Sequence, residues 1–314
     1  MDLKSFHLFL ALIFCVFLSL LFWYFYASNY VGFLYSVKNS SYYFPETYSG
    51  NLKLVTYSEM SAPEKVLRKF KSKGVNIVIG PTYSTTGELF APYLEYFDVI
   101  AFSPTITSWE LLNKTDRIFS FSPDNNAQIN AIKNFLKARG INNILLILDP
   151  MNKKYSEEFK KLLDYFSGTE FYFYSLKTFL KKELDYKNFE AVVITITTKS
   201  AVDIISQTKS LNPNMIFVCA DAAVDTELID YAKNAKEEIY GVSFTSSLKD
   251  PVEILINDAV NAVEDHKFIS AQQALRFYKN HYVRIKGNLS HFNKMGFLDR
   301  PVDIVKLTNR RINQ

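Results

Sequence analysis

Residues 75–84 read Val-Asn-Ile-Val-Ile-Gly-Pro-Thr-Tyr-Ser, and residues 99–107 read Val-Ile-Ala-Phe-Ser-Pro-Thr-Ile-Thr. Each is a short, mostly apolar and β-branched run that breaks at once into a turn rich in proline and hydroxyls. Such a run describes a strand covered on both faces, because a strand with one wet face would alternate. Working outward, the pattern recurs at Val31–Tyr35, Leu52–Val55, Ile144–Leu148, Ala191–Ile196 and Met215–Ala220. Stretches of helical period lie between these runs. Glu64–Lys73 puts Val66, Leu67 and Phe70 on one side; Ala127–Arg139 does so with Ile129, Ile132, Phe135 and Leu136, and Gly140 stops it. Tyr155–Phe166 repeats the pattern with Phe159, Leu162 and Leu163, and a further helix after the sixth run turns Ala201, Ile204 and Ile205 inward. Strand and helix in alternation predict an α/β protein with mostly parallel sheets and helices on both faces. Two segments break the rhythm. Lys38–Asn51 lacks apolar periodicity and reads as a loop; Asp250–Lys286 reads as a helical pair, followed by strands or a hairpin ending in Val302–Leu307.

The 314 residues carry 36 Lys+Arg against 32 Asp+Glu, a formal charge of +4. Acidic residues are spread along the chain, so nothing marks a nucleic-acid surface and no nucleic-acid partner is expected. Length and an apolar fraction of 48% allow two domains with real cores. With two cysteines, Cys15 in the N-terminal apolar run and Cys219 in a core run, no disulfide framework can be drawn.

From Leu8 to Ala27 the chain is uncharged and apolar. A helix of that length spans a bilayer core of ~30 Å. Residues 1–29 therefore predict an N-terminal membrane anchor, with Trp23, Tyr24 and Tyr26 at one interface and the body outside the cytoplasm. The alternative is a cleaved signal segment and a secreted body.

In open α/β sheets ligands bind at the carboxyl ends of the strands. The residues that follow the apolar runs there are Gly80–Gly87, Ser103–Ser108, Asp149–Tyr155, Thr197-Thr198 and Asp221. Ser84, Thr105, Ile106 and Thr107 offer O–H and N–H groups to an anion, and Asp221 offers a carboxylate to an ammonium. With the aromatic Tyr155, that set suits an α-amino acid. Singly, each has a plainer reading: Ser84 and Thr107 as helix caps, Tyr155 as a core aromatic, Asp221 as a turn residue beside the better cap Asp225. No nucleotide, nucleophile-elbow or metal motif is present, and His7, His266, His281 and His291 have no metal spacing. Neither cofactor, metal nor enzymatic turnover is expected.

Taken in order, residues 75–84, 100–107, Arg117–Gln128, Ile144–Asp149 and Tyr155 resemble the type I periplasmic binding proteins, and among them the branched-chain amino-acid binding proteins of ABC transporters. The resemblance implies a two-lobed clamshell that closes on a small ligand. It implies lobe one at 30–120 with 251–288, and lobe two at 121–250 with 289–314. It further implies that Ser84, Ile106 and Thr107 hold the ligand carboxylate and part of the ammonium, that Tyr155 covers the ligand, and that Asp221 pairs with the ammonium. Thr197 or Thr198 stands where relatives often carry an aromatic. The function implied is delivery of an amino acid to an ABC transporter permease. The alternative is a membrane-anchored interaction or sensory module of the same fold that has lost transport.

Overall fold

In a computed structural model of the chain, the described residues are 3–27, 30–36, 48, 50–173, 188–209, 212–244, 251–264, 268, 270–285 and 288–308. The first helix, α1 (Leu3–Ala27), precedes a sheet of five parallel strands. These are β1 (Tyr30–Tyr35), β2 (Lys53–Ser58), β3 (Ile77–Ile79), β4 (Ile100–Ser103) and β5 (Ile118–Ser120), in spatial order β2-β1-β3-β4-β5. Helices α2 (Pro63–Ser72), α3 (Ser84–Tyr96) and α4 (Trp109–Leu112) form the crossovers.

The second sheet is built from β6 (Asn143–Leu148), β7 (Gly168–Phe173), β8 (Ala191–Ile194), β9 (Ile216–Cys219) and β10 (Ile239–Ser243). Its helices are α5 (Asn125–Ala138), α6 (Lys153–Glu158), α7 (Thr198–Thr208) and α8 (Thr226–Asn234), and a 3₁₀ turn over Phe159–Tyr165 continues α6. The chain then returns through α9 (Pro251–Glu264) and α10 (Ala271–Asn280), which pack on β3 and β4 of the first sheet. A small hairpin, β11 (Val283–Ile285) with β12 (Asn288–Ser290), leads to β13 (Asp303–Lys306). β13 closes the second sheet antiparallel to β10, giving the order β13-β10-β9-β8-β6-β7. The fold is thus the two-lobed, mostly parallel α/β arrangement.

Strands β3, β4, β6, β8 and β9 are buried at every residue apart from the first position of β6, as strands sandwiched between helix layers must be. Where α10 meets the first sheet, Phe102, Phe119, Phe121, Tyr278 and Phe292 form one aromatic cluster. The Phe102 and Tyr278 rings lie 4.6 Å apart edge to face, and the Tyr278 hydroxyl donates to the Ala262 carbonyl at 2.8 Å.

In the two large sheets, three strands escape the reading by apolar runs, and the small hairpin β11–β12 escapes it as well. β5 has only three residues, β7 is a half-exposed edge strand carrying Glu170, and β10 is interrupted by Gly241. That glycine is needed because a Cβ would meet Val224 at 2.8 Å and Leu307 at 3.2 Å. The helix expected over Tyr155–Phe166 is α6 plus its 3₁₀ continuation, and Val302–Leu307 is one strand. The predicted loop at Lys38–Asn51 lies outside the described residues except for Tyr48, Gly50 and Asn51.

The predicted anchor needs correction: among the described residues no helix is long and apolar enough to cross a membrane. The single-pass localisation built on that anchor falls with it.

Asp258 of α9 is fully buried and is bonded by Arg300, which tethers the segment before β13 to the first half of the molecule. Asp258 Oδ1 and Arg300 Nε find no other partner. Removing one member leaves a buried charge, so Asp258→Ala is expected to lower unfolding free energy by about 3–5 kcal/mol. The double variant Asp258→Leu/Arg300→Met should recover most of that loss, as read by urea denaturation.

Candidate functional site

The carboxyl ends of the two sheets face one another across a cavity of about 340 Å³, within the ~300–1,000 Å³ common for small-molecule sites. On the first-sheet side its wall is Phe33 to Ser36 at the end of β1, Ile79 and Gly80 at the end of β3, and the turn residues Thr82, Tyr83, Pro104 and Thr105. Gly80 sits at φ +100°, and a Cβ there would come within 2.9 Å of the Leu34 carbonyl oxygen. Only glycine therefore lets β3 and β1 meet this closely at the cavity floor.

On the second-sheet side the wall is Asp149, Asn152 and Tyr155 after β6, Thr197 after β8, and Asp221 after β9. Val242 and Phe244 from the end of β10, with Leu255 and Ile256 of α9, make the remaining side apolar.

Tyr155 and Asp221 meet. The Tyr155 hydroxyl donates to Asp221 Oδ1 at 2.6 Å, and its ring lies 5.1 Å from that of Phe159. The Asp221 N–H is held by Gln128 Oε1 at 3.3 Å. Burial pushes the Asp221 carboxyl up to about 6, against the hydrogen bond from Tyr155 that favours its ionised form. Burial and the neighbouring Asp221 carry the Tyr155 hydroxyl well above its ordinary value. Asp149 is buried, accepts from the Met151 N–H at 2.8 Å, and is likewise raised by burial.

The expected anion cradle is arranged otherwise. Ser84 lies within the first turn of α3, buried and off the cavity wall. Ile106 packs into the core beneath Gly87; its N–H goes to Ser103 Oγ at 2.9 Å and its carbonyl accepts from Ser120. The Thr107 carbonyl accepts from the Asn125 N–H at 2.8 Å, and its fully buried hydroxyl has no partner and also lies off the wall. Thr105 reaches the wall, with its hydroxyl donating to the Thr82 carbonyl at 2.7 Å. Thr197 reaches it from an exposed position at the start of α7. The structure thus gathers Thr105, Tyr155, Thr197 and Asp221 around one cavity and sets Ser84, Ile106 and Thr107 behind it. Asp225, as expected, caps α8, accepting from the N–H groups of Glu227 and Leu228.

Helix α6 is packed against α3 across the cleft mouth. Asn152 Oδ1 accepts from the Thr85 N–H at 3.3 Å and from its hydroxyl at 3.2 Å. Lys154 reaches Glu110 at 3.1 Å and Glu88 at 3.4 Å. The Thr85 donors at the start of α3, beside the expected Ser84, are thus taken by the protein itself.

Glu59 and the apolar wall escape sequence reading. Glu59 is buried just after β2 and accepts from the Thr82 N–H at 2.5 Å and the Thr82 hydroxyl at 2.6 Å, fixing the turn that carries Thr82 and Tyr83. Burial pushes its carboxyl up to about 7, against those hydrogen bonds. The search for polar residues at strand ends misses it because β2 runs three residues beyond the apolar run that marks it. Phe244 is missed because β10 is.

Residues 30–236 match the family model described as the receptor family ligand-binding region. Among solved structures, a leucine-binding protein from Thermotoga maritima superposes with a TM-score of 0.74 at 15% identity, covering 89% of this chain and 95% of that one. A branched-chain amino-acid transporter substrate-binding protein from Streptococcus pneumoniae, in complex with isoleucine, does so with a TM-score of 0.70 at 16% identity, covering 88% and 99%. A solute-binding protein of an ABC transporter from Rhodopseudomonas palustris, in complex with 3,4-dihydroxybenzoic acid, gives 0.73 at 9% identity, covering 88% and 92%. No curated protein sequence matches the chain. With two thirds of its length matched by the family model and both sheets in the type I periplasmic-binding arrangement, the chain belongs to the receptor family of ligand-binding regions.

Proposed function

We propose that the chain is the substrate-binding component of an ABC transporter, taking a small molecule between its two lobes and presenting the closed form to a permease. The observation that carries this reading is the cavity between the carboxyl ends of the two sheets, with Asp221 and Tyr155 paired on its wall. The binding of small molecules by its structural neighbours supports it. No bond need be made or broken. A ligand with higher affinity for the closed arrangement shifts the population towards it.

Of the amino-acid reading, the ammonium half has support in this geometry: Asp221 is a cavity carboxylate held in place by Tyr155. The rival reading as an interaction module would be favoured by a filled cleft. A volume of about 340 Å³ favours a ligand instead.

Thermal unfolding of the full chain with a panel of amino acids, aromatic acids and amines tests the proposal. A ligand at 100 times its Kd adds about 2.7 kcal/mol, a rise in Tm of roughly 5–10 °C for a chain of this size. Ala222→Trp, which places a bulky ring on the cavity wall, should abolish the rise. Failure of every panel member to raise Tm would overturn the reading.

A pH dependence also follows from Asp221. Its carboxyl ionises at about 6, and only the ionised form pairs with an ammonium. Affinity for an ammonium-bearing ligand should be flat above pH 7 and fall below pH 6 by about tenfold per unit. Asp221→Asn should weaken binding at pH 7.5 and remove this pH dependence, as measured by titration calorimetry.

A further inference from the structure

We propose that the ligand of this cleft is an organic ammonium ion that carries no carboxylate, an amine with an apolar or aromatic body. The inference rests on the reading of the cavity as a small-molecule site and names the class that site takes.

Charge on the wall is one-sided. Among the described residues it carries the carboxylates of Asp149, Asp221, Asp225 and Glu227 against a single cation, the exposed Lys199. Asp149 and Asp221 are the two that matter. Both act on the Tyr155 hydroxyl that lies between the ends of β6 and β9, whereas Asp225 is occupied in capping α8 and Glu227 is exposed. A carboxylate entering this space meets two like charges and no buried base, and loses its hydration without replacement.

Six neutral donors around the start of α3 are committed elsewhere, and the Thr107 hydroxyl, which has no partner, lies off the wall. The Thr82 N–H and hydroxyl go to Glu59, the Thr85 N–H and hydroxyl to Asn152, the Ile106 N–H to Ser103 and the Thr105 hydroxyl to the Thr82 carbonyl. Asn152 stands where an anion would approach the start of α3, and it comes from the opposite lobe. An ammonium is served well by the same wall, since carboxylates and aromatic faces both attract it. Tyr35, Tyr83 and Tyr155 border the polar end of the cavity, and Phe33, Phe244, Leu255 and Ile256 line the rest. That distribution matches one cationic head and a body of a few carbons or a ring, a compound held protonated at pH 7 by an amine pKa near ~10.

The test is a matched series on the full chain, by titration calorimetry and thermal unfolding. 3-Methylbutylamine, leucine and 4-methylpentanoate share one body and differ only in charged groups; phenethylamine, phenylalanine and 3-phenylpropanoate form the aromatic set. Each amine is expected to bind at least about tenfold more tightly than the amino acid and the acid of its set. Asp149→Asn and Asp221→Asn should each weaken amine binding roughly tenfold to a hundredfold. Tighter or equal binding of leucine or phenylalanine than of its amine overturns the inference and leaves the binding-protein reading standing. So does tighter binding of either acid. Binding of none of the six overturns both.

Discussion

The carboxylate of Glu158 is buried between the two halves of the molecule, and the shape of the cleft depends on it. It accepts from Ser108 Oγ at 2.5 Å, from the N–H groups of Trp109 and Glu110 at 3.2 and 3.0 Å, and from Asn125 Nδ2 at 2.9 Å. Among the described residues no base pairs with it. Four donors do the work instead, two of them at the start of α4, where unpaired N–H groups and the helix dipole favour an anion. A buried carboxylate bonded to two separate segments, 108–110 and the start of α5, has little freedom, so the helix that carries it is fixed with respect to both.

That fixed helix is α6, and its other residues inherit their positions. Three residues before Glu158, Tyr155 turns to the cavity and holds Asp221; six before, Asn152 reaches the start of α3; and Lys154 pairs with Glu88 and Glu110 on the outer side. One short element thus sets the Tyr155–Asp221 pair on the cavity wall and takes up the Thr85 donors at the start of α3. Glu59 does the same from the first sheet by fixing Thr82. Both are acidic side chains doing internal structural duty beside the site, where the burial of each polar group demands a partner.

Sequence reading reached the sheets because a doubly covered strand leaves a consecutive apolar run. The runs that mark β1, β3, β4, β6, β8 and β9 all lie where strands are found. It failed where that signal is absent in physical terms: β7 at an edge, β5 of three residues, and β10 broken by Gly241. At the site, Tyr155 and Asp221 were legible as polar or aromatic residues just after apolar runs. The burial of Ser84, Ile106 and Thr107 was not, because it depends on tertiary partners such as Ser120 for the Ile106 carbonyl and Asn125 for the Thr107 carbonyl. A local pattern records which groups a turn can offer; only the tertiary packing decides which of them another part of the chain has already taken.

The same distinction explains how a chain 15% identical to a leucine-binding protein keeps its fold at a TM-score of 0.74. A buried parallel sheet asks of each position only an apolar side chain of suitable volume, and many sequences meet that demand. The loops at the strand ends face no such averaging. A single hydrogen-bond acceptor placed at Asn152 takes up both Thr85 donors beside the cleft. The ligands named for the neighbouring structures include isoleucine and 3,4-dihydroxybenzoic acid, both of which carry a carboxyl group. Shared architecture therefore carries the cleft over to this chain, whereas the chemistry of what enters it has to be read from the donors left free and the charges left unpaired on this particular wall.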